Sequence, residues 1–420
     1  MRKILRLLSI ALLAVACSPA NSADTIKIAF IDSLSGRYAD MGFASLKQYQ
    51  AAIAYTNANG GALGLDFELV PLDDQSSVKQ ALSNLELAIQ QGIRYVTQGN
   101  NPEVSVALAK AIDAHNRDNP ARSVMYLNYG DGAPQLDNDA CSFWHFRFDA
   151  SLAIKAHAMV AGIPADGSVQ SVYLINQDDP WGHDASREIL RVLTQQRPEI
   201  RIVGDELHPP GKVKDFSGYI RRIVDSGADA IVTADRSADL VKLMSAWSKT
   251  GQGKQVFIVS NSVSQVPAAI GQRGIDRVTG VFTWHANIGS NLIDQFAEAY
   301  QKEHAENWNG LPAYVAIQML VASTEVVRSI DPLLVAQALE GLSFLGAAGP
   351  VALREDNHQL LQPLFLARLG KVGNGRVANG SSKTAVGSKL GWNTALRKEP
   401  DEIVLDTTCE MVRPEGVKRR

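Results

Sequence analysis

Charge of one sign, cysteine, long apolar runs and catalytic signatures are all scarce in this chain. Lys and Arg number 41 against 44 Asp and Glu, a formal net charge of −3. That balance leaves no electrostatic footprint for nucleic acid, and no basic run stands out beyond Lys418, Arg419 and Arg420. Beyond the first residues no segment is long and apolar enough for a transmembrane helix. The G-x-S-x-G elbow, HExxH and the P-loop are absent. The eight histidines are scattered; His145, His183 and His285 show no metal-ligand spacing and read as surface or hinge residues, so no metal or cofactor is expected. "GNGRVANG", Gly373 to Gly380, has the glycines of a dinucleotide loop without its flanking strand and helix. Asp178 and Asp179 form an adjacent acidic pair, but neighbours on a turn point apart, which suits a solvated loop or helix cap better than acid–base chemistry. An enzyme is therefore the disfavoured class.

What remains is an ordinary globular composition, 45% hydrophobic and 20% charged. At 420 residues the chain is long enough for two or three domains or one large two-lobed body. Its N-terminus reads as a secretory signal peptide over residues 1–23: basic Arg2, Lys3 and Arg6, the short apolar run "LLSIALLAVA", then small residues. "AVAC", Ala14 to Cys17, resembles a bacterial lipobox with Ala14 where Leu is preferred. Lipidation at Cys17 thus competes with ordinary cleavage after Ala20 or Ala23. Export puts Cys141 and Cys409 in an oxidising compartment. Two cysteines allow one pairing, and two separate buried thiols are the alternative.

One pattern recurs. A short run rich in Val, Ile, Phe and Tyr ends in polar or glycine residues, and an amphipathic run follows. The strands include "IKIAFID" from Ile26, "RYVTQGNNP" from Arg94, "SVYLINQDDPWG" from Ser171 and "DAIVTADRSAD" from Asp229. Most lack in/out alternation, as strands buried on both faces do. "SVKQALSNLELAIQQG" from Ser77 is typical of the intervening helices, opening on a serine and closing at Gly92. Strands alternating with such helices predict crossover units and mainly parallel sheet, an α/β fold. There are too many strands for one ordinary sheet. Aromatic "CSFWHFRFDAS", Cys141 to Ser151, reads as a passage between two groups of elements. Leu292 to Ile330 reads as helical, and a hairpin is expected around "EDNHQ".

"VTQGNNPEVS", Val96 to Ser105, places a strand end, two asparagines and a proline at the mouth of a helix. Asn101 suits the N-cap and Pro102 the first turn, where a missing N–H costs nothing. Asn100 is then free to face the crevice at the carboxyl ends of the strands, where α/β folds bind ligands. Taken alone, this stretch fits plain capping without a ligand better.

"DSLSGRYADMGFAS" from Asp32, "NQDDPWG" from Asn176 and "ADRSAD" from Ala234 also follow strands. Together, in this order and spacing, these stretches resemble the type I periplasmic solute-binding proteins of the branched-chain amino acid ABC-transport class. The resemblance runs from about Ile26 to "CEMVRP" near the end. It implies two Rossmann-like lobes joined by a three-segment hinge: residues 24–144 and 280–345 in lobe 1, 145–279 and 346–405 in lobe 2, and a tail, 406–420, near the hinge. It implies ligand held between the lobes, with Ser35, Asn100 and Asn101 as donors from lobe 1, and Trp181, Asp235 and Arg236 from lobe 2. Trp181 stands where the family usually has Tyr, and Asn100-Asn101 where it has small Ser, Thr or Ala. These departures extend the expected ligand from α-amino acids to aromatic or other organic acids. The family's tail returns toward the hinge, where a Cys141–Cys409 disulfide would pin it. The implied protein is a periplasmic monomer without cofactor, serving an inner-membrane ABC permease. A sensor of the same fold is the alternative, disfavoured because no helix-turn-helix or membrane helix flanks the domain.

Overall fold

The computed structural model describes residues 25–417 apart from 131, 251–252, 261–262, 264, 373–383 and 386–387. The expected signal peptide 1–23, Cys17, the "GNGRVANG" loop and the terminal basic residues lie outside this range, wholly or in large part. Three sheets form among the described residues.

The first is wholly parallel, in the order β2 (Phe67–Asp73), β1 (Ile26–Asp32), β3 (Tyr95–Gln98), β4 (Met125–Asn128), β5 (His145–Arg147). Its central strands are buried apart from Lys27 in β1, and its edge strand β2 is only partly so, which is why β1, β3 and β4 lack the in/out alternation of a half-exposed strand. Three helices fill the crossovers: α1 (Ala39–Ala58), α2 (Val78–Gln90) and α3 (Pro102–Asp118). Ser77 caps α2 and Asn101 caps α3, each side chain accepting an otherwise orphaned backbone N–H.

Helix α4 (Leu152–Ala161) opens the second lobe. Its sheet runs β15 (Leu390–Lys398), β14 (Leu364–Lys371), β10 (Val278–Phe282), β9 (Gln255–Ile258), β8 (Ala230–Thr233), β6 (Ser171–Gln177), β7 (Arg201–His208). The β10-to-β7 part is parallel, with crossovers through α5 (Pro180–Gln196), α6 (Ser217–Asp225), α7 (Ser237–Thr250) and the short α8 (Val266–Ile270). β14 and β15 add antiparallel to its edge.

After β10 the chain returns to the first lobe. The expected continuous helical stretch is two helices, α9 (Asn291–His304) and α10 (Leu311–Val327), followed by α11 (Pro332–Leu339). Asp331 caps α11 and its carboxylate also meets Arg94 at 3.0 Å, tying this return to β3. β11 (Ser343–Gly346), β12 (Gly349–Leu353) and β13 (Leu360–Leu361) form the third sheet, whose β12–β13 hairpin encloses the "EDNHQ" stretch.

The pairing corrects the expected boundaries. His145–Arg147 belongs to the first sheet, because β5 pairs with β4, and β10 belongs wholly to the second. The hairpin touches both lobes: Arg147 donates its backbone N–H to His358 O at 3.0 Å, and Arg354 Nη1 donates to Leu405 O at 2.5 Å. The chain leaves one sheet for other elements at 148–151, 283–290 and 362–363. The first and third run side by side, with Gln359 Nε2 donating to Asp149 O at 2.7 Å and Gln362 Nε2 to Phe148 O at 3.3 Å. Cys141 and Cys409 are joined by a disulfide with Cα atoms 5.6 Å apart, and Arg413 adds an ion pair of 2.6 Å to Glu340, so the tail lies against the first lobe near these crossings.

Candidate functional site

The carboxyl ends of both parallel sheets face one another across a cleft. Its floor is built on Asp32, the last residue of β1 and fully buried. Asp32 accepts backbone N–H bonds from Ser33 at 2.7 Å, Gly99 at 3.2 Å and Asn100 at 3.4 Å, and a short hydrogen bond from the Tyr129 hydroxyl. Burial pushes its carboxyl above the usual range, against the pull of these donors. Asp74 lies beside it and is pushed up to about 6, first by burial and then by the charge of Asp32. One carboxylate thus gathers the ends of β1, β3 and β4.

Close backbone contact completes the floor. A Cβ on Gly130 would stand 1.9 Å from Gly99 O, so only glycine lets the strand ends of β3 and β4 approach this far. The loop after Gly130 is held from below by Arg147, whose side chain is fully buried. Its guanidinium donates to Gly130 O at 2.8 Å, Gly132 O at 2.6 Å, Ala133 O at 3.0 Å and Asp137 Oδ1 at 2.7 Å. A buried charge with this many partners is satisfied, and removing either member of the pair would strand the other.

The opposing wall comes from the first turns of α5 and the segment before α7. Asp179 caps α5 by accepting Gly182 N–H at 2.9 Å. Trp181 is 1% exposed and donates Nε1–H to Ala234 O at 2.8 Å. Arg236 lies with its guanidinium carbon 4.9 Å from the Trp181 ring centroid and 5.4 Å from that of Tyr38, a cation held between two aromatic faces. Its Nη1 donates to Asn100 O at 3.3 Å, across the cleft, and its Nη2 is 3.5 Å from Asp179 Oδ2. Its Nε is buried and has no partner among the described residues. Arg37, at the start of α1, also approaches Asp179 at 3.5 Å.

Between these walls lies a cavity of some 700 Å³, mouth included. Ser45, Asn100, Tyr129, Trp181, Arg236 and Ser260 line it, with apolar Met41, Ala44, Pro312 and Ala313. Three of the residues singled out in the sequence, Asn100, Trp181 and Arg236, are thereby brought together. Asn100 also donates Nδ2–H to Ser45 Oγ at 3.3 Å and Tyr129 OH at 3.0 Å. The other three lie elsewhere. Asn101 spends its side chain capping α3 through Glu103 N–H at 3.1 Å. Ser35 turns to the exposed loop, its hydroxyl on Asp73 Oδ2 at 2.6 Å. Asp235 is fully buried and pairs with His208 at 2.8 Å, although it is adjacent to Arg236 in sequence. Sequence reading missed Tyr38, Ser45, Tyr129 and Ser260. Only Tyr38 and Ser45 carried a signal, since both fall inside "DSLSGRYADMGFAS".

A periplasmic binding protein family model matches residues 25–375. The chain is 28% identical to Leu/Ile/Val-binding protein homolog 4 of Brucella melitensis over 421 residues, covering 96% of this chain and 97% of the relative. Its fold is similar to that of the leucine-, isoleucine-, valine-, threonine- and alanine-binding protein of Brucella ovis in its closed conformation, with a TM-score of 0.79 and 24% identity over 93% of this chain and all of that one. It is also similar to a Rhodopseudomonas palustris ABC-transporter solute-binding protein in complex with p-hydroxybenzoic acid, with a TM-score of 0.73 and 19% identity over 90% of this chain and 98% of that one. The chain belongs to the periplasmic binding protein family, in its type I, branched-chain amino acid class.

Proposed function

We propose that the protein captures a small carboxylate-bearing solute in the inter-lobe cleft and delivers it to an inner-membrane ABC permease, after export to the periplasm, with no catalytic step and no cofactor. Arg236 carries this reading: it is 5% exposed, lines the cavity, and keeps one guanidinium N–H without a partner. A planar cation held rigidly between two rings and short of one acceptor is suited to a carboxylate. Asn100, Ser45 and Tyr129 on the facing floor offer further hydrogen bonds, and Trp181 an apolar face. No Asp or Glu is among the described residues lining the cavity, so a ligand ammonium would turn to Asp179 behind Arg236. This favours an organic or aromatic acid, in line with the p-hydroxybenzoic acid of the Rhodopseudomonas relative, over an amino acid such as those named for the Brucella ovis protein.

The test is a thermal-shift and calorimetric comparison of p-hydroxybenzoate, benzoate, leucine and benzamide. Saturable binding of a carboxylate, with benzamide bound far more weakly, is expected. Benzamide binding as tightly as benzoate would overturn the role given to Arg236, and turnover of any ligand would overturn the binding-protein reading.

A further inference from the structure

A second cavity lies behind the cleft, where the second crossing segment meets β15 and the loop before α10. Phe282, Trp284, His285, Ala297, Trp308 and Trp392 wall it, enclosing some 840 Å³, mouth included. Asn309 lines both cavities, so the two are separated by the thickness of one loop.

Its chemistry differs from that of the cleft. Trp284 and Trp308 pack edge to face with ring centroids 4.8 Å apart, and Phe282 and Trp392 lie 4.9 Å apart. No Lys or Arg is among the described lining residues, and the carboxylate there, Glu298, is on an exposed residue at the rim. His285 is neutral: burial pushes it down to about 3, and Nε2 faces Thr394 Oγ1 at 2.9 Å while Nδ1 accepts Asn287 N–H at 3.3 Å. Two donors remain. The indole N–H groups of Trp284 and Trp308, residues 7% and 3% exposed, are buried and have no partner among the described residues. A buried donor without an acceptor carries its desolvation cost with nothing in return, and native proteins leave few such groups. Two in one aromatic-walled cavity call for an acceptor that the described residues do not provide.

We propose that this cavity is a second small-molecule site, taking an uncharged aromatic compound whose carbonyl oxygen accepts from the Trp284 and Trp308 indole N–H groups. The aromatic walls receive the ring, and no Lys or Arg among the described lining residues offers a carboxylate the partner it has in the cleft. The site is thus separate in place and in ligand charge from the one proposed for the transported solute.

The probe is acetophenone, an uncharged aryl ketone, measured by calorimetry and saturation-transfer NMR on the whole exported protein. Acetophenone is expected to bind the Arg236→Ala variant as it binds the wild type, and to bind unchanged when the cleft is saturated with a carboxylate. Trp284→Phe combined with Trp308→Phe keeps the rings and removes both donors. It should weaken acetophenone at least about tenfold while leaving the cleft ligand's affinity unchanged. On the wild type, ethylbenzene, which has the same ring and no acceptor, should bind correspondingly more weakly; this arm needs no variant to fold. Equal affinity for acetophenone and ethylbenzene, loss of acetophenone binding in Arg236→Ala, or no saturable binding at millimolar concentration would each overturn the proposal, the last leaving the cavity to water.

Discussion

Arg236 donates to the backbone carbonyl of Asn100 at 3.3 Å, so a side chain of the second lobe closes on the main chain of the first. The same guanidinium lines the cavity and is stacked on Trp181. Opening the lobes must break this contact. A carboxylate bound beside it would hold the lobes together through the same charge, which is how a ligand selects a closed state.

Arg236→Ala should therefore cost about 2–5 kcal/mol of affinity for a carboxylate, the usual loss when one partner of a buried charged pair is truncated. Asp235→Asn should act on the fold instead, because it weakens the buried pair with His208, a class of change that costs about 3–5 kcal/mol. Calorimetry and thermal melts on both variants separate the effects. Unchanged affinity in Arg236→Ala would remove it from the site.

Trp181 serves the cleft and the core at once. Its ring is buried and its N–H is spent on Ala234 O. Trp181→Ala should destabilise the protein by about 3–5 kcal/mol, as large-to-small changes in cores do, in addition to weakening ligand. Denaturant unfolding that matched wild type would show that the ring packs more loosely than its burial implies.

Asp74 predicts a pH dependence. Its folded-state carboxyl stands at about 6, above an unfolded value of roughly 3.9. Between these values the native state binds more protons than the unfolded one, so this group's contribution falls as pH rises from about 4 to 6. Its Oδ2 has no partner among the described residues, while Oδ1 accepts from Ser33 Oγ at 2.8 Å. Asp74→Asn keeps that acceptor and cannot ionise. Its melting temperature should exceed wild type at pH 7 and converge with it near pH 4. A constant difference across that range would refute the assignment.

The disulfide between Cys141 and Cys409 closes a loop with a sequence separation of 268. In the chain-entropy model such a crosslink contributes about 5–6 kcal/mol. Changing both cysteines to Ser should lower stability by up to that amount. The tail should remain docked, through Arg413 on Glu340 and the Thr407 hydroxyl on Asp137 O. Peptide mapping without reductant should recover the linked pair, and two free thiols in exported protein would refute it.

Local chemistry made much of this molecule legible in the sequence. Apolar runs without alternation marked β1, β3, β4, β6 and β8, because parallel strands covered on both faces leave no polar side. Asn101 and Pro102 announced the start of α3, since capping is a property of adjacent residues. Strand ends rich in Asn, Asp and Gly located the cleft. Tertiary structure alone decided the rest. Strand β15 carries mixed polar residues and owes its place to pairing with β14. Which side chains line the cleft was equally beyond local reading. Asp235 and Arg236 are neighbours in the chain, yet one is sealed against His208 and the other faces Asn100. Tyr129 gained its role from a carboxylate 97 residues away. A side chain's direction depends on the backbone turn beneath it and on partners brought from distant segments, and neither is encoded within the few residues that make a motif.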